Sequence, residues 1–147
     1  LKLENPSATA ASASGGPVTG VSFEGWERYS HGAVEQARAA GKPVFVDLTA
    51  AWCITCLVNE RVALETAATK QAFERTGTVK LKGDWTNRDP EISALLKEIG
   101  RAGVPVYLYW TPGAQAPKIL PQILTESLVI SEIGQPGRAA CKGDARC

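Results

Sequence analysis

An apolar strand that runs straight into Trp-Cys-x-x-Cys and then into a helix leaves few folds open to a chain. Pro43-Val44-Phe45-Val46-Asp47-Leu48-Thr49 is β-branched and aromatic, with Asp47 its only charge, and reads as a strand buried on both faces. Ala51-Trp52-Cys53-Ile54-Thr55-Cys56 follows at once, and Ile54 to Glu65 lacks Pro and Gly and mixes Leu57, Val58, Val62 and Leu64 with charges, as a helix does. Cys53 therefore caps or opens a helix, where free backbone N–H groups and the positive dipole end favour a thiolate. Cys56 sits one turn further on and close in space. This predicts a division of labour, in which the more exposed Cys53 attacks a partner's disulfide and the more buried Cys56 attacks the mixed disulfide to release the product.

Other uses of Cys-x-x-Cys fit less well. A zinc knuckle needs two more ligands at similar spacing, whereas Cys141 and Cys147 lie far downstream with five residues between them. An inert structural disulfide would close too small a loop to contribute much stability. A second feature sharpens the redox reading. Gly103-Val104-Pro105-Val106-Tyr107-Leu108-Tyr109-Trp110 reads as a strand entered through a proline, and the Val104–Pro105 bond is a candidate cis peptide, with an ordinary trans strand start as the plainer alternative.

With these residues the chain resembles the thioredoxin superfamily, in which a cis-proline loop packs beside the Cys-x-x-Cys. Val104 and Pro105 match that loop, and Asp47 matches the buried acid behind the site. Trp26, Tyr29-Ser30, Gly41 to Asp47, Thr49-Ala50, Trp52-Cys53, Thr55-Cys56, Asn59-Glu60 and Asp84 to Pro90 together resemble the C-terminal periplasmic domain of DsbD-type thiol:disulfide interchange proteins, including the ScsB branch, over about residues 21 to 136. The resemblance implies an α/β thioredoxin-like fold and a protein-disulfide reductase. It implies a domain that takes electrons from a transmembrane domain of the same longer protein and passes them to an N-terminal periplasmic domain or another thioredoxin-like acceptor. It also implies a periplasmic domain tethered to the inner membrane, with no cofactor beyond the Cys53–Cys56 disulfide and no bound metal. Cys53 and Cys56 would be catalytic, Asp47 and Glu60 would tune the thiol pKa, and Trp52, Val104 and Pro105 would meet the partner. An independent thioredoxin-like reductase serving cytochrome maturation, or a non-catalytic peptide-binding module, are the alternative functions. Ile54-Thr55 between the cysteines and Leu57 after them depart from the commoner thioredoxin pattern and make the local field less positive, while Ala51 before them takes the place of an acidic residue common in these domains.

Composition bounds the rest. A chain of 147 residues, 44% hydrophobic, can bury one sizeable core and hardly two. A formal net charge of +1 gives no preference for nucleic acid, and an isolated domain of this kind is expected to be a monomer. No apolar run approaches the roughly 18 to 20 residues that cross a bilayer. From the start at Leu1 and the absence of methionine, the chain is expected to be a piece of a longer protein.

Residues 5–20 are small and polar, so 1–20 reads as a flexible tether, residues 21–136 as the folded domain, and 137–147 as a tail. Cys141 and Cys147 in that tail are read as a peripheral disulfide or free thiols. Within the domain, Ser30 caps a first helix through Ala40, which Gly41 and Pro43 stop. Val79 to Lys82 reads as a strand, Asp89 and Pro90 start a helix to about Ile99, Lys118 to Leu120 reads as a short strand, and Thr125 to Ile133 as a last helix. Strands separated by helices predict a mixed central sheet with helices on both faces.

Overall fold

A computed structural model of the chain describes residues 21–134. The expected tether over 1–20 lies outside them, as does the tail over 137–147 with Cys141 and Cys147. Five strands form one mixed sheet: β1 (Glu27–Arg28), β2 (Val44–Thr49), β3 (Val79–Asp84), β4 (Val106–Trp110) and β5 (Lys118–Ile119), in the order β1-β3-β2-β4-β5. β1 and β2 run parallel to β3, and β4 runs antiparallel to both β2 and β5. β2 is central, and all six of its residues are buried.

The alternation along β2 sorts the molecule into two layers. Val44, Val46 and Leu48 point to the face covered by α1 (His31–Ala39) and α4 (Pro90–Glu98), where they pack with Val34, Leu81, Ile92, Leu96 and Leu108. Phe45 points to the opposite face, beneath α3 (Ala67–Thr76) and α5 (Glu126–Ile133), and packs with Phe73, Tyr107, Tyr109, Leu124 and Val129. Edge-to-face contacts of 5.4–6.0 Å join the rings of Phe45, Phe73 and Trp26. Asp47 and Thr49 follow Phe45 at period two and therefore face this second layer. A carboxyl is thus carried into the core by the same alternation that buries Phe45.

Helix boundaries follow their caps. Ser30, Thr66, Asp89 and Thr125 each accept a hydrogen bond from the backbone N–H three residues on, and Pro90 opens α4. The helix after Cys53 departs from a uniform α-helix: α2 spans Ile54–Asn59 and continues as a π-helical turn over Glu60–Leu64. That wider turn leaves both Asn59 and Glu60 buried, although they are consecutive. The strand expected from Gly103 begins only at Val106, because Pro105 has no N–H to give to a ladder and the residues before it form a loop. β3 extends two residues beyond Lys82, to Asp84. α3 and the two-residue β1 were not anticipated from the sequence.

Candidate active site

The site is built where β2 ends. Cys53 takes an extended backbone as the N-cap of α2, and its Sγ accepts a hydrogen bond from the Cys56 N–H at 3.1 Å. The two cysteines form a disulfide. Cys53 keeps 7% of its surface exposed and Cys56 none, so one sulfur lies at the rim and the other inside. Ala50 and Val104 pack against the pair. The Val104–Pro105 peptide is cis, and Val104 is the residue of that loop in contact with the sulfurs' cluster. Among the described residues no group of three or more His, Cys, Asp or Glu side chains is placed to hold a metal ion.

Trp52 stands outside this buried pair. It is 49% exposed, donates from Nε1 to the Thr86 carbonyl at 3.0 Å, and lies 6.1 Å from the Trp85 ring. The Ala51 N–H donates to Thr86 Oγ1 at 2.8 Å, so the loop after β3 is fastened to the cysteine loop at two points. Trp85 itself is buried and donates to Ser93 Oγ, which makes it a packing residue. Ile54, Leu57, Val58 and Val62 leave apolar surface exposed along the outer side of the helix.

Beneath the helix lies a polar cluster inside the core. Asp47 is fully buried, and neither carboxylate oxygen has a hydrogen-bond partner. Burial, and then the neighbouring Glu60 carboxylate, push its pKa from 3.8 up to about 8, while Lys82 pulls the other way. Glu60, one helical turn after Cys56, is also buried and not on a solvated helix face. It accepts from Thr49 Oγ1 at 3.1 Å, and burial raises its pKa against the pull of Lys82 and that hydrogen bond.

Lys82 is the residue that sequence reading missed. It is paired in register with Asp47 across the β2–β3 ladder, is 2% exposed, donates from Nζ to the Ser22 carbonyl at 2.7 Å, and sits 4.0 Å from Glu60 Oε2. Its Nζ also lies over the Trp26 ring. The alternation Val79-Lys80-Leu81-Lys82 announced a strand, but only the parallel register shows that Lys82 faces the same layer as Asp47. On the other side of Asp47, in the β2–β4 register, Tyr107 accepts a hydrogen bond from Asn59 Nδ2 at 2.9 Å. Its hydroxyl is pushed above its ordinary range by burial and then by Asp47.

A neutral Lys82→Met variant removes the one cation that lowers both carboxyls. The Asp47 and Glu60 titrations, followed by carboxyl carbon NMR in the oxidised protein, should both move to higher pH. The variant should also lose roughly 2–3 kcal/mol in urea unfolding at neutral pH, since it leaves a buried carboxylate without its partner. Unmoved carboxyl titrations would show that Lys82 is merely packed there.

A mixed sheet with helices on both faces, a strand-to-helix junction carrying a disulfide in Cys-x-x-Cys, and a cis-proline loop against it define a thioredoxin-like protein. A thioredoxin-like family model matches residues 25–112, and the chain belongs to that family. Within it, the similarity runs to the thiol:disulfide interchange protein DsbD. The chain is 37% identical over 79 residues to DsbD of Klebsiella pneumoniae and 42% identical over 82 residues to DsbD 1 of Pseudomonas aeruginosa. These matches cover 54% and 55% of the chain, but only 13% of either relative, so the chain corresponds to a small part of the curated relatives' length. The crystal structure of the oxidised C-terminal domain of Neisseria meningitidis DsbD superposes with a TM-score of 0.58 at 26% identity, covering 75% of this chain and 98% of that domain. A Thermus thermophilus thioredoxin shares the fold, with a TM-score of 0.60 at 20% identity, over 82% of this chain and 92% of its own. Among the described residues no helix is long and apolar enough to cross a membrane.

Proposed function

We propose that the chain is the electron-carrying thiol:disulfide oxidoreductase domain of a DsbD-type protein, a protein-disulfide reductase. It takes two electrons from a membrane-embedded domain of the same longer protein and passes them to a thioredoxin-like acceptor in the periplasm. The observation that carries this is the placement of a rim sulfur at a helix N-cap and a fully buried sulfur one turn inside, beside the Val104–Pro105 loop. In the reduced domain the Cys53 thiolate attacks the acceptor's disulfide, forming a mixed disulfide and expelling one acceptor thiolate, which takes up a proton. Cys56, giving up its proton, attacks Cys53 Sγ, expels the second acceptor thiolate and restores the Cys53–Cys56 disulfide. Two electrons and two protons have then passed to the acceptor. The acceptor meets the half-exposed Trp52 and the partly buried Val104, and the buried Pro105 shapes the loop that presents Val104.

Asp47 and Glu60 act on the thiols through charge. A carboxylate beneath the helix opposes a thiolate above it, as burial does, so the pair raises the Cys53 pKa against the favourable N-cap hydrogen bond. A raised pKa keeps the free reduced domain slow towards stray disulfides. The double variant Asp47→Asn, Glu60→Gln should lower the Cys53 pKa by about one unit or more in a thiolate absorbance titration. An unchanged or higher value removes this role.

The reading as a whole is tested by the reduction potential of Cys53/Cys56, measured in glutathione or dithiothreitol buffers with Cys141 and Cys147 replaced by serine. A potential between about −200 and −270 mV, the span from glutaredoxins to thioredoxin, is expected for a reducing carrier. A value near −120 mV would mark a donor of disulfides, and a pair that does not cycle would mark a peptide-binding module.

A further inference from the structure

Beside Cys53 the structure holds a cation in an unusual seat. Arg88 is exposed, and its Cζ lies 4.6 Å from the Trp85 ring centroid and 5.5 Å from that of Trp52. Its backbone adopts φ 56°, the left-handed region, where a non-glycine residue is uncommon. Its N–H donates to the Trp85 carbonyl at 2.9 Å and closes the turn that aims the side chain back over the two indoles. The seat is rigid at both ends, since Thr86 is bonded to Trp52 Nε1 and to the Ala51 N–H. Trp52 is the residue immediately before Cys53.

Among the described residues Arg88 makes no salt bridge and donates no side-chain hydrogen bond. The three acids closest to it in sequence each accept a backbone hydrogen bond, Asp89 Oδ2 from the Ile92 N–H at 3.0 Å, Glu91 Oε2 from the His31 N–H at 2.8 Å and Asp84 Oδ1 from the Thr86 N–H at 2.9 Å. A guanidinium held against aromatic rings keeps its in-plane N–H fork free, and that fork matches a carboxylate.

We propose that Arg88, seated on Trp52 and Trp85, is a specificity-determining residue that pairs with an acidic side chain flanking the reactive cysteine of the partner protein. The proposal rests on the function proposed above and names the partner's chemistry at that same site. Arg88 takes no part in the exchange: the dithiol gives two electrons and two protons to the partner's disulfide and becomes a disulfide itself. What Arg88 changes is how often a partner's sulfur meets Cys53 in register, because complementary charge raises encounter rates and fixes orientation.

The test uses two disulfide-linked peptides that differ only in a Glu or a Lys beside the cysteine, reduced by the dithiol form of the whole chain. The Glu peptide should react about fivefold faster, the upper end for one exposed charge pair. That ratio should fall to about one in Arg88→Gln, and in the unmodified chain at about 1 M salt, where the screening length is about 3 Å. Arg88→Lys, which keeps the charge but loses the fork, should fall between. Equal rates with the two peptides at low salt, or a preference that survives both Arg88→Gln and high salt, overturns the proposal while leaving the reductase reading intact. If neither peptide is reduced at all, the two readings fall together. Should Arg88→Gln fail to fold, the salt series on the unmodified chain decides alone.

Discussion

Cys56→Ser should turn the domain from a catalyst into a trap. Cys53 remains at the rim and can still attack a partner's disulfide, but no thiol is left inside to resolve the product. An internal thiol one turn away has an effective concentration far above any millimolar thiol in solution. Its loss should therefore cut multiple-turnover reduction by roughly a thousandfold or more, while the first half of the exchange proceeds. The measurement is a non-reducing gel of the variant mixed with an equimolar disulfide protein, in a background with Cys141 and Cys147 replaced by serine. A covalent adduct approaching stoichiometry, released by dithiothreitol and absent in Cys53→Ser, is the expected result. Turnover within about tenfold of the parent would mean that Cys56 does not resolve the mixed disulfide. The asymmetry rests on burial: Cys56 is fully buried and packs with Ala50, Cys53 and Val104, so no partner can reach its sulfur first.

The second large effect lies in the core. Asp47 is held at a pKa of about 8 against an ordinary 3.8, because its carboxylate would be buried with no hydrogen bond and beside Glu60. The native state thus keeps a proton that the unfolded chain releases. Between about pH 4 and pH 8 the folded form binds more protons, so stability is full at the acid end and is lost as pH rises through about 8. The distance between the two values sets a ceiling of roughly 6 kcal/mol, which local relaxation reduces. Asp47→Leu removes the titration. It should leave the oxidised domain more stable by roughly 2–4 kcal/mol at about pH 9, with a much smaller difference near pH 5. Urea unfolding of parent and variant at the two pH values reads this directly. A variant that is no more stable at the alkaline end would show that Asp47 ionises without cost. The Glu60 and Lys82 charges that face Asp47, with Glu65 beyond them, move the midpoint of the loss but not its sign.

These two residues mark how legible the site was. Cys53, Cys56 and the Val104–Pro105 loop could be read because their chemistry is local: a cysteine spacing, a preceding apolar run, a proline at a strand's mouth. Asp47 was legible as the one charge in a strand otherwise suited to burial. Lys82 was not, since a lysine in an alternating strand normally faces water, and only its pairing opposite Asp47 turns it inward. Glu60 was placed near the site but could not be seen to be buried, because nothing in Asn59-Glu60-Arg61 announces a π-helical turn. α3 was overlooked although Thr66 caps it and Gly77, at φ 70°, closes it. Its core contacts are made by Thr69, Ala72 and Phe73, too small and polar a set to give a clear apolar stripe. Trp85 is a packing residue, yet the Arg88 seat it forms with Trp52 could not be foreseen, because it joins two loops distant in sequence.

The chain itself determined the order of elements, the strand-to-helix junction that carries the sulfurs, and a core divided by the alternation of β2. Those properties depend on neighbours a few residues apart, where backbone geometry and side-chain period leave little choice. What only the tertiary structure decided is the electrostatic setting of the sulfurs. Lys82 and Tyr107 come to flank Asp47 through strand register, Ser22 comes to hold Lys82 across sixty positions of chain, and Arg88 comes to lie against Trp52. Charge interactions act through space and depend on local burial. They therefore become definite only once the sheet has chosen its pairings and the core has excluded water.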